Sequence, residues 1–151
     1  MNWQPLPVVL ALASSLAACR GESSGAEQEA MAVVKEWATA FHESDVDAIV
    51  ALYAPDALFF GTGSKALIST PDGIRDYFQG LHRDKPRGAE LLSHSVKVIS
   101  DEVVLVTGLD RVTGVRDGKT YQADGRVSFV LEKRGSGWKI VHFHRSVLPA
   151  S

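Results

Sequence analysis

The feature that most narrows the fold lies in the second half of the chain, where β-rich runs follow one another with little between them. They are "LLSHSVKVIS" from Leu91, "EVVLVTGLDRVTGV" from Glu102, "KTYQADGRVSFVLEKR" from Lys119 and "GWKIVHFHRSVLP" from Gly137. The Asp117-Gly118 pair and the "RGSG" of Arg134 to Gly137 separate the last three, and both read as hairpin turns. Parallel strands need a long crossover, so these runs predict an antiparallel meander.

The first half is helical in pattern. From Glu27 to Glu43, Ala30, Val33, Val34, Trp37 and Phe41 recur at helical spacing, while Glu29, Lys35, Glu36 and Glu43 fall elsewhere. Ser44, with Asp47 three residues on, reads as the N-cap of a short second helix through Val46, Ile49, Val50 and Tyr53. "ALFFGTG" and "KALIST" are short strand candidates around a glycine turn. Thr70 and Pro71 then open a third helix with Ile74, Tyr77, Phe78 and Leu81 facing inward. Helices first and a meander afterwards predict an α+β domain whose sheet packs one face on the helices.

The other sheet face must meet solvent or a partner. Strict alternation places Trp138, Ile140, His142, His144 and Ser146 on one side and Val141, Phe143, Arg145 and Val147 on the other. In "GRVSFVLEK", Val127, Phe129 and Leu131 alternate with Arg126, Ser128 and Val130. A sheet wet on one side alternates more cleanly than this, so a homodimer through the outer face is expected. Two histidines at i and i+2 could begin a metal site, but a third ligand such as His94 would be needed and nothing demands it. No metal and no cofactor are expected; His142 and His144 read as hydrogen-bonded interface residues, and His42 and His82 as solvated residues near helix ends.

Leu6 to Ala18 is apolar and small, too short to span a bilayer as a permanent helix and of the size of a signal-peptide core. It runs into "LAAC", Leu16 to Cys19, which resembles the bacterial lipobox, although "MNWQPLP" carries no Lys or Arg before the core. Cys19 is the single cysteine, so an intramolecular disulfide is excluded and lipidation accounts for a thiol in an exported chain. The expected organisation is a signal peptide at 1–18, a lipidated Cys19 with a flexible tether at 19–26, and one domain at 27–149. Arg20 after the cysteine resembles lipoproteins sorted to the outer membrane, which implies a cell-envelope localisation, anchored by lipid alone on the periplasmic face. Sixteen Lys+Arg against 18 Asp+Glu give a net charge of -2, with no strongly basic face for nucleic acid.

Three helices, a curved sheet and a closing "GWKIVHFHRS" together resemble the nuclear-transport-factor-2-like superfamily, whose members fold as a cone around an internal pocket. The closing strand is similar to that of the association (hub) domain of the calcium/calmodulin-dependent protein kinase II family, as, more loosely, is "RVTGVRDGKT". The first helix through "DVDAIVALYAPDALFF" resembles SnoaL-like domains. The hub resemblance implies pocket arginines at Arg145 and Arg111, while a third family arginine falls on Phe129. Kinase activity is not implied, because no kinase domain is present.

The expected ligand-binding set is therefore Arg145, Arg111, Phe143, Phe129, Tyr53 and Tyr77. A guanidinium pointing into a cone needs a counter-charge; either Asp110 or Asp124 supplies it, or an anionic small molecule does, for which the planar donor fork is suited. Cone-shaped relatives include isomerases, dehydratases and cyclases, and Tyr53, Tyr77, Asp45, Asp110 and His94 are the groups that could serve such chemistry. No acid–base pair emerges from spacing, so the catalytic residues stay unassigned. The expectation is a dimeric envelope lipoprotein that binds a small anionic organic ligand, the alternatives being a small-molecule isomerase, dehydratase or cyclase, or a non-catalytic hub-like oligomerisation domain.

Overall fold

A computed structural model describes residues 24–83, 85–135 and 137–149, with backbone alone for His82. The expected signal peptide, Cys19 and most of the expected tether lie outside the described residues. Among the described residues, no helix is long and apolar enough to cross a membrane.

Helix α1 (Gly25–Glu43) starts two residues before the expected Glu27, because Ser24 caps it by accepting from Glu27 N. Its stripe of Ala30, Val33, Val34, Trp37, Ala40 and Phe41 is buried. Ser44 ends this helix in the left-handed conformation (φ 61°), and Asp45 instead caps α2 (Val46–Ala51), accepting from Ala48 N at 2.9 Å. The expected cap is thus displaced by one residue: a buried serine closes one helix and the exposed carboxylate opens the next.

Strand β1 (Tyr53–Phe60) leads to the loop before α3 (Pro71–Phe78), which Thr70 caps with Pro71 in the first turn and a 3-10 turn, Gln79–Arg83, extends. "KALIST" forms no strand; its one ladder contact is a bridge between Phe59 and Ile68. Four long strands follow: β2 (Gly88–Ser100), β3 (Val103–Arg116), β4 (Lys119–Arg134) and β5 (Gly137–Val147). The sheet order is β1-β5-β4-β3-β2, antiparallel except where β1 runs parallel to β5. Asp117 (φ 52°) and Gly118 (φ 72°) make the β3–β4 turn, where two positive φ angles match the twist of the flanking strands.

The alternation expected of β5 fails at one point. Leu131 pairs with Ile140 and Val130 with His142, so Val141 is an extra residue and the strand bulges there. The bulge turns Trp138 and Ile140 to the buried side along with Phe143 and Arg145, and leaves His142 and His144 facing out. On β4 the expected alternation holds, with Val127, Phe129 and Leu131 buried.

An aromatic cluster joins helices to sheet. The Trp37 ring stacks on Phe41 at 5.3 Å and Phe143 at 5.4 Å, and Phe143 stacks on Phe59 at 5.0 Å. Each such burial contributes about 1.5–3 kcal/mol, and ring pairs about 0.5–1.5 kcal/mol more. This cluster floors the cleft described next.

Candidate functional site

One end of the cone holds a cleft of about 830 Å³ between α1, α3 with its 3-10 turn, and the inner face of β3, β4 and β5. That volume is in the range of small-molecule sites. Its walls are aromatic, from Trp37, Phe41, Tyr77, Phe78, Tyr121 and Phe143. Four arginines, Arg83, Arg87, Arg116 and Arg145, also line it, against a single carboxylate among the described lining residues, Asp117.

Arg145 is the fixed point. Its place opposite Val127 on the inner face buries its side chain to 9% exposure beside Asp110 at 7%. Arg145 Nε donates to Asp110 Oδ2 at 2.6 Å, Nη1 to Thr62 Oγ1 at 2.9 Å and Nη2 to the Ala123 carbonyl at 2.7 Å. Asp110 therefore supplies the directly bonded counter-charge, while Asp124 is bonded to Arg111. Close approach explains Gly125, where a Cβ would sit 2.7 Å from Asp110 Oδ1 and 2.8 Å from Arg145 Nη2.

The loop after β1 sets the neighbouring wall. Tyr77 lies over Gly61, where a Cβ would come within 2.2 Å of the ring, and its hydroxyl accepts from Gly63 N at 3.4 Å. "GTG" thus orients both Tyr77 and, through Thr62, Arg145. On the opposite wall Tyr121 lies over Gly114, where a Cβ would be 2.7 Å from its hydroxyl oxygen. The Arg116 guanidinium sits 5.1 Å above the Tyr121 ring, and that of Arg87 sits 5.1 Å above Phe41, each in cation–π contact.

Of the six expected ligand-binding residues, the structure brings Arg145, Phe143 and Tyr77 into the cleft. Tyr53 and Phe129 belong to the core beneath it. The Tyr53 hydroxyl accepts from Trp37 Nε1 at 3.1 Å, and burial pushes its pKa well above 10.0. Arg111 is misplaced by the expectation. It follows Asp110 in β3 and so points to the outer face, where it holds Asp124 in a bidentate pair at 2.7 and 2.9 Å. Bonding to Arg111 lowers the Asp124 pKa.

Of the remaining candidates, Asp45 is the α2 cap and His94 is exposed on β2, which β3 and β4 separate from β5. His142 and His144 line the outer face beside Leu58 and Phe60 of β1, with Phe60 in edge contact with His144. Burial, then the neighbouring His144 charge, lowers the His142 pKa from 6.5. His42 is exposed. Thr62, Arg83, Arg87 and Arg116 escaped the sequence reading; for Arg83 and Arg87 the signal was the cationic cluster in "HRDKPRG" next to a predicted helix end.

The sequence profile of the SnoaL-like domain matches residues 30–151. The chain belongs to the SnoaL-like family. Among curated proteins none matches it. A protein from Xanthomonas campestris assigned as a calcium/calmodulin-dependent protein kinase II association domain is 25% identical, with a TM-score of 0.78 over 89% of this chain and 95% of its own. A nuclear transport factor 2 (NTF2-like) superfamily protein from Salmonella enterica is 22% identical, with a TM-score of 0.73 over 83% and 92%. A protein from Novosphingobium aromaticivorans assigned as a scytalone dehydratase is 9% identical, with a TM-score of 0.73 over 81% and 83%. At these last identities the likeness shows the fold alone. The SnoaL-like domain is thus an NTF2-like cone, helices packed on a curved, open, mixed five-stranded sheet, a fold that isomerases and dehydratases share.

Proposed function

We propose that the protein is an envelope lipoprotein whose cone binds a small anionic organic molecule in the arginine-lined cleft. The observation that carries this reading is Arg145, a buried guanidinium held by three hydrogen bonds at the wall of an aromatic cleft. A fork of donors fixed before the ligand arrives loses little entropy on binding. Catalysis is less well supported. Among the described lining residues no histidine or interior carboxylate faces the cleft. Asp110 lines instead a separate void of about 20 Å³ with Val34, Trp37 and Phe129, and its Oδ1 is buried without a hydrogen bond.

A thermal-shift screen of small carboxylic acids, repeated on Arg145→Met, tests the binding reading. Stabilisation of the wild type that disappears in a folded variant is expected; no stabilisation, or stabilisation indifferent to the substitution, overturns it. Dimerisation through the outer sheet face is part of the same proposal, supported by exposed Leu58, Phe60 and Leu109 there, and a monomer in ultracentrifugation at micromolar concentration removes it. Lipidation at Cys19 predicts a membrane-fraction protein whose mass carries acyl chains, and that Cys19→Ser releases it. The second reading, an oligomerisation domain, draws on the 25% likeness to the association-domain protein. Assemblies larger than a dimer with no response to any acid would favour it.

A further inference from the structure

We propose that the tip of the β3–β4 hairpin, residues 114–121, is a flap that folds inward onto the cleft's ligand, and that Tyr121 is the side chain it lays on the bound molecule. This rests on the anion-binding reading above and adds the residue that closes the site. The strand ladders show where the flap begins. β2 accompanies β3 only as far as the Gly88–Thr113 pair, and β5 leaves β4 at the Gly125–Val147 pair and one bond beyond it, Leu148 N to the Asp124 carbonyl at 3.3 Å. Among the described residues, the pairs Gly114–Tyr121, Val115–Thr120 and Arg116–Lys119 therefore stand as a bare two-stranded ribbon, a form that is marginal by itself in water. Open space borders the ribbon twice. One space is the cleft of about 830 Å³, and the other, of about 600 Å³, is bounded by the ribbon and by His42 with residues 86–88. Tyr121 lines both, so an inward swing narrows the first and widens the second.

The size of the cleft asks for such a movement. A tight small-molecule site buries most of its ligand's surface, and this cleft is far roomier than one ring with one carboxylate. Arg145 cannot advance to close the gap, because Asp110, Thr62 and the Ala123 carbonyl hold it. The ribbon can. Its ring is already seated, with Tyr121 lying across Gly114, where a Cβ would meet the ring at 2.8 Å. The tip mixes Arg116 and Lys119 with Asp117, so closure gains chiefly from apolar contact by the Tyr121 ring. Arg116 has interactions besides that ring and is given no part in binding.

Hydrogen exchange of the full chain, read by mass spectrometry with and without saturating benzoate, tests the proposal. In the free chain, amides of residues 114–121 should exchange at least about tenfold faster than those of residues 126–133 in the same β4 strand or its continuation, and benzoate should slow them. Calorimetry on Tyr121→Ala should show benzoate bound about three- to tenfold more weakly, with no slowing of the hairpin at saturation, while Tyr121→Phe behaves as wild type. Circular dichroism confirms that each variant is folded. A hairpin as protected in the free chain as residues 126–133, or one whose exchange benzoate leaves unchanged while calorimetry shows binding, overturns the flap and leaves the anion-binding reading standing. Unchanged affinity and slowing in Tyr121→Ala overturn the assignment of Tyr121. No binding of benzoate to the wild type overturns both readings.

Discussion

Replacing Asp110 with Ala should destabilise the domain by about 3 kcal/mol, at the low end of the usual cost of breaking a buried ion pair. The structure sets that place in the range. Side chains exposed to 9% and 7% leave little solvent screening of the Arg145–Asp110 pair, which argues for a large effect. Thr62 and the Ala123 carbonyl continue to hold the guanidinium, and water in the cleft can approach it, which argues against the upper limit. Asp110 Oδ1 accepts no hydrogen bond, so its removal forfeits none. Urea unfolding followed by circular dichroism reads the loss directly, and in a domain of this size the melting temperature should fall by roughly 10 °C. The Asp110→Leu/Arg145→Met double variant removes both charges and should return to within about 1 kcal/mol of the wild type. Benzoate should stabilise Asp110→Ala more than the wild type, because the uncompensated guanidinium gains more from an anion. A loss below about 1 kcal/mol in the single variant, or a double variant no more stable than the single, would refute the reasoning.

Gly108→Ala should cost about 2–3 kcal/mol in the same unfolding assay, since its Cβ would meet the Ser93 carbonyl oxygen at 2.0 Å and the His94 Cα at 2.7 Å, both backbone atoms of β2. Asp45→Ala removes the α2 cap and should lower stability by about 1 kcal/mol, with Asp45→Asn nearly neutral. The lowered His142 pKa makes the unfolded chain the better proton acceptor, so its contribution to stability is complete above 6.5 and is lost as pH falls through the folded value. Stability measured above and below 6.5 should therefore fall on the acid side, and His142→Asn should flatten that slope.

The fold was largely legible because its determinants are local. Trp37 and Phe41 declared their helix by spacing, Thr70-Pro71 declared the start of another, and Asp117-Gly118 declared a hairpin through backbone angles that few residue pairs adopt. Errors came where one residue changes the register. Alternation cannot reveal the extra residue at Val141, and that bulge alone moves Trp138 and Ile140 to the buried side. The cleft was less legible still. Arg145 and Arg111 looked alike as strand arginines, and only their positions relative to Asp110 put one inside and the other out.

By itself, then, the sequence determined the helices, the meander and the shared strand face of Arg145 and Phe143, because periodicity and turn chemistry act within a few residues. Tertiary structure alone decided that Asp110, 35 residues away, is the partner of Arg145, and that Thr62 is bonded to it across 83. It also decided that Arg83 and Arg87, from one segment, share a cleft with Arg116 and Arg145 from two others. Closure of the sheet against the helices sets those distances, and no local pattern in the chain encodes them.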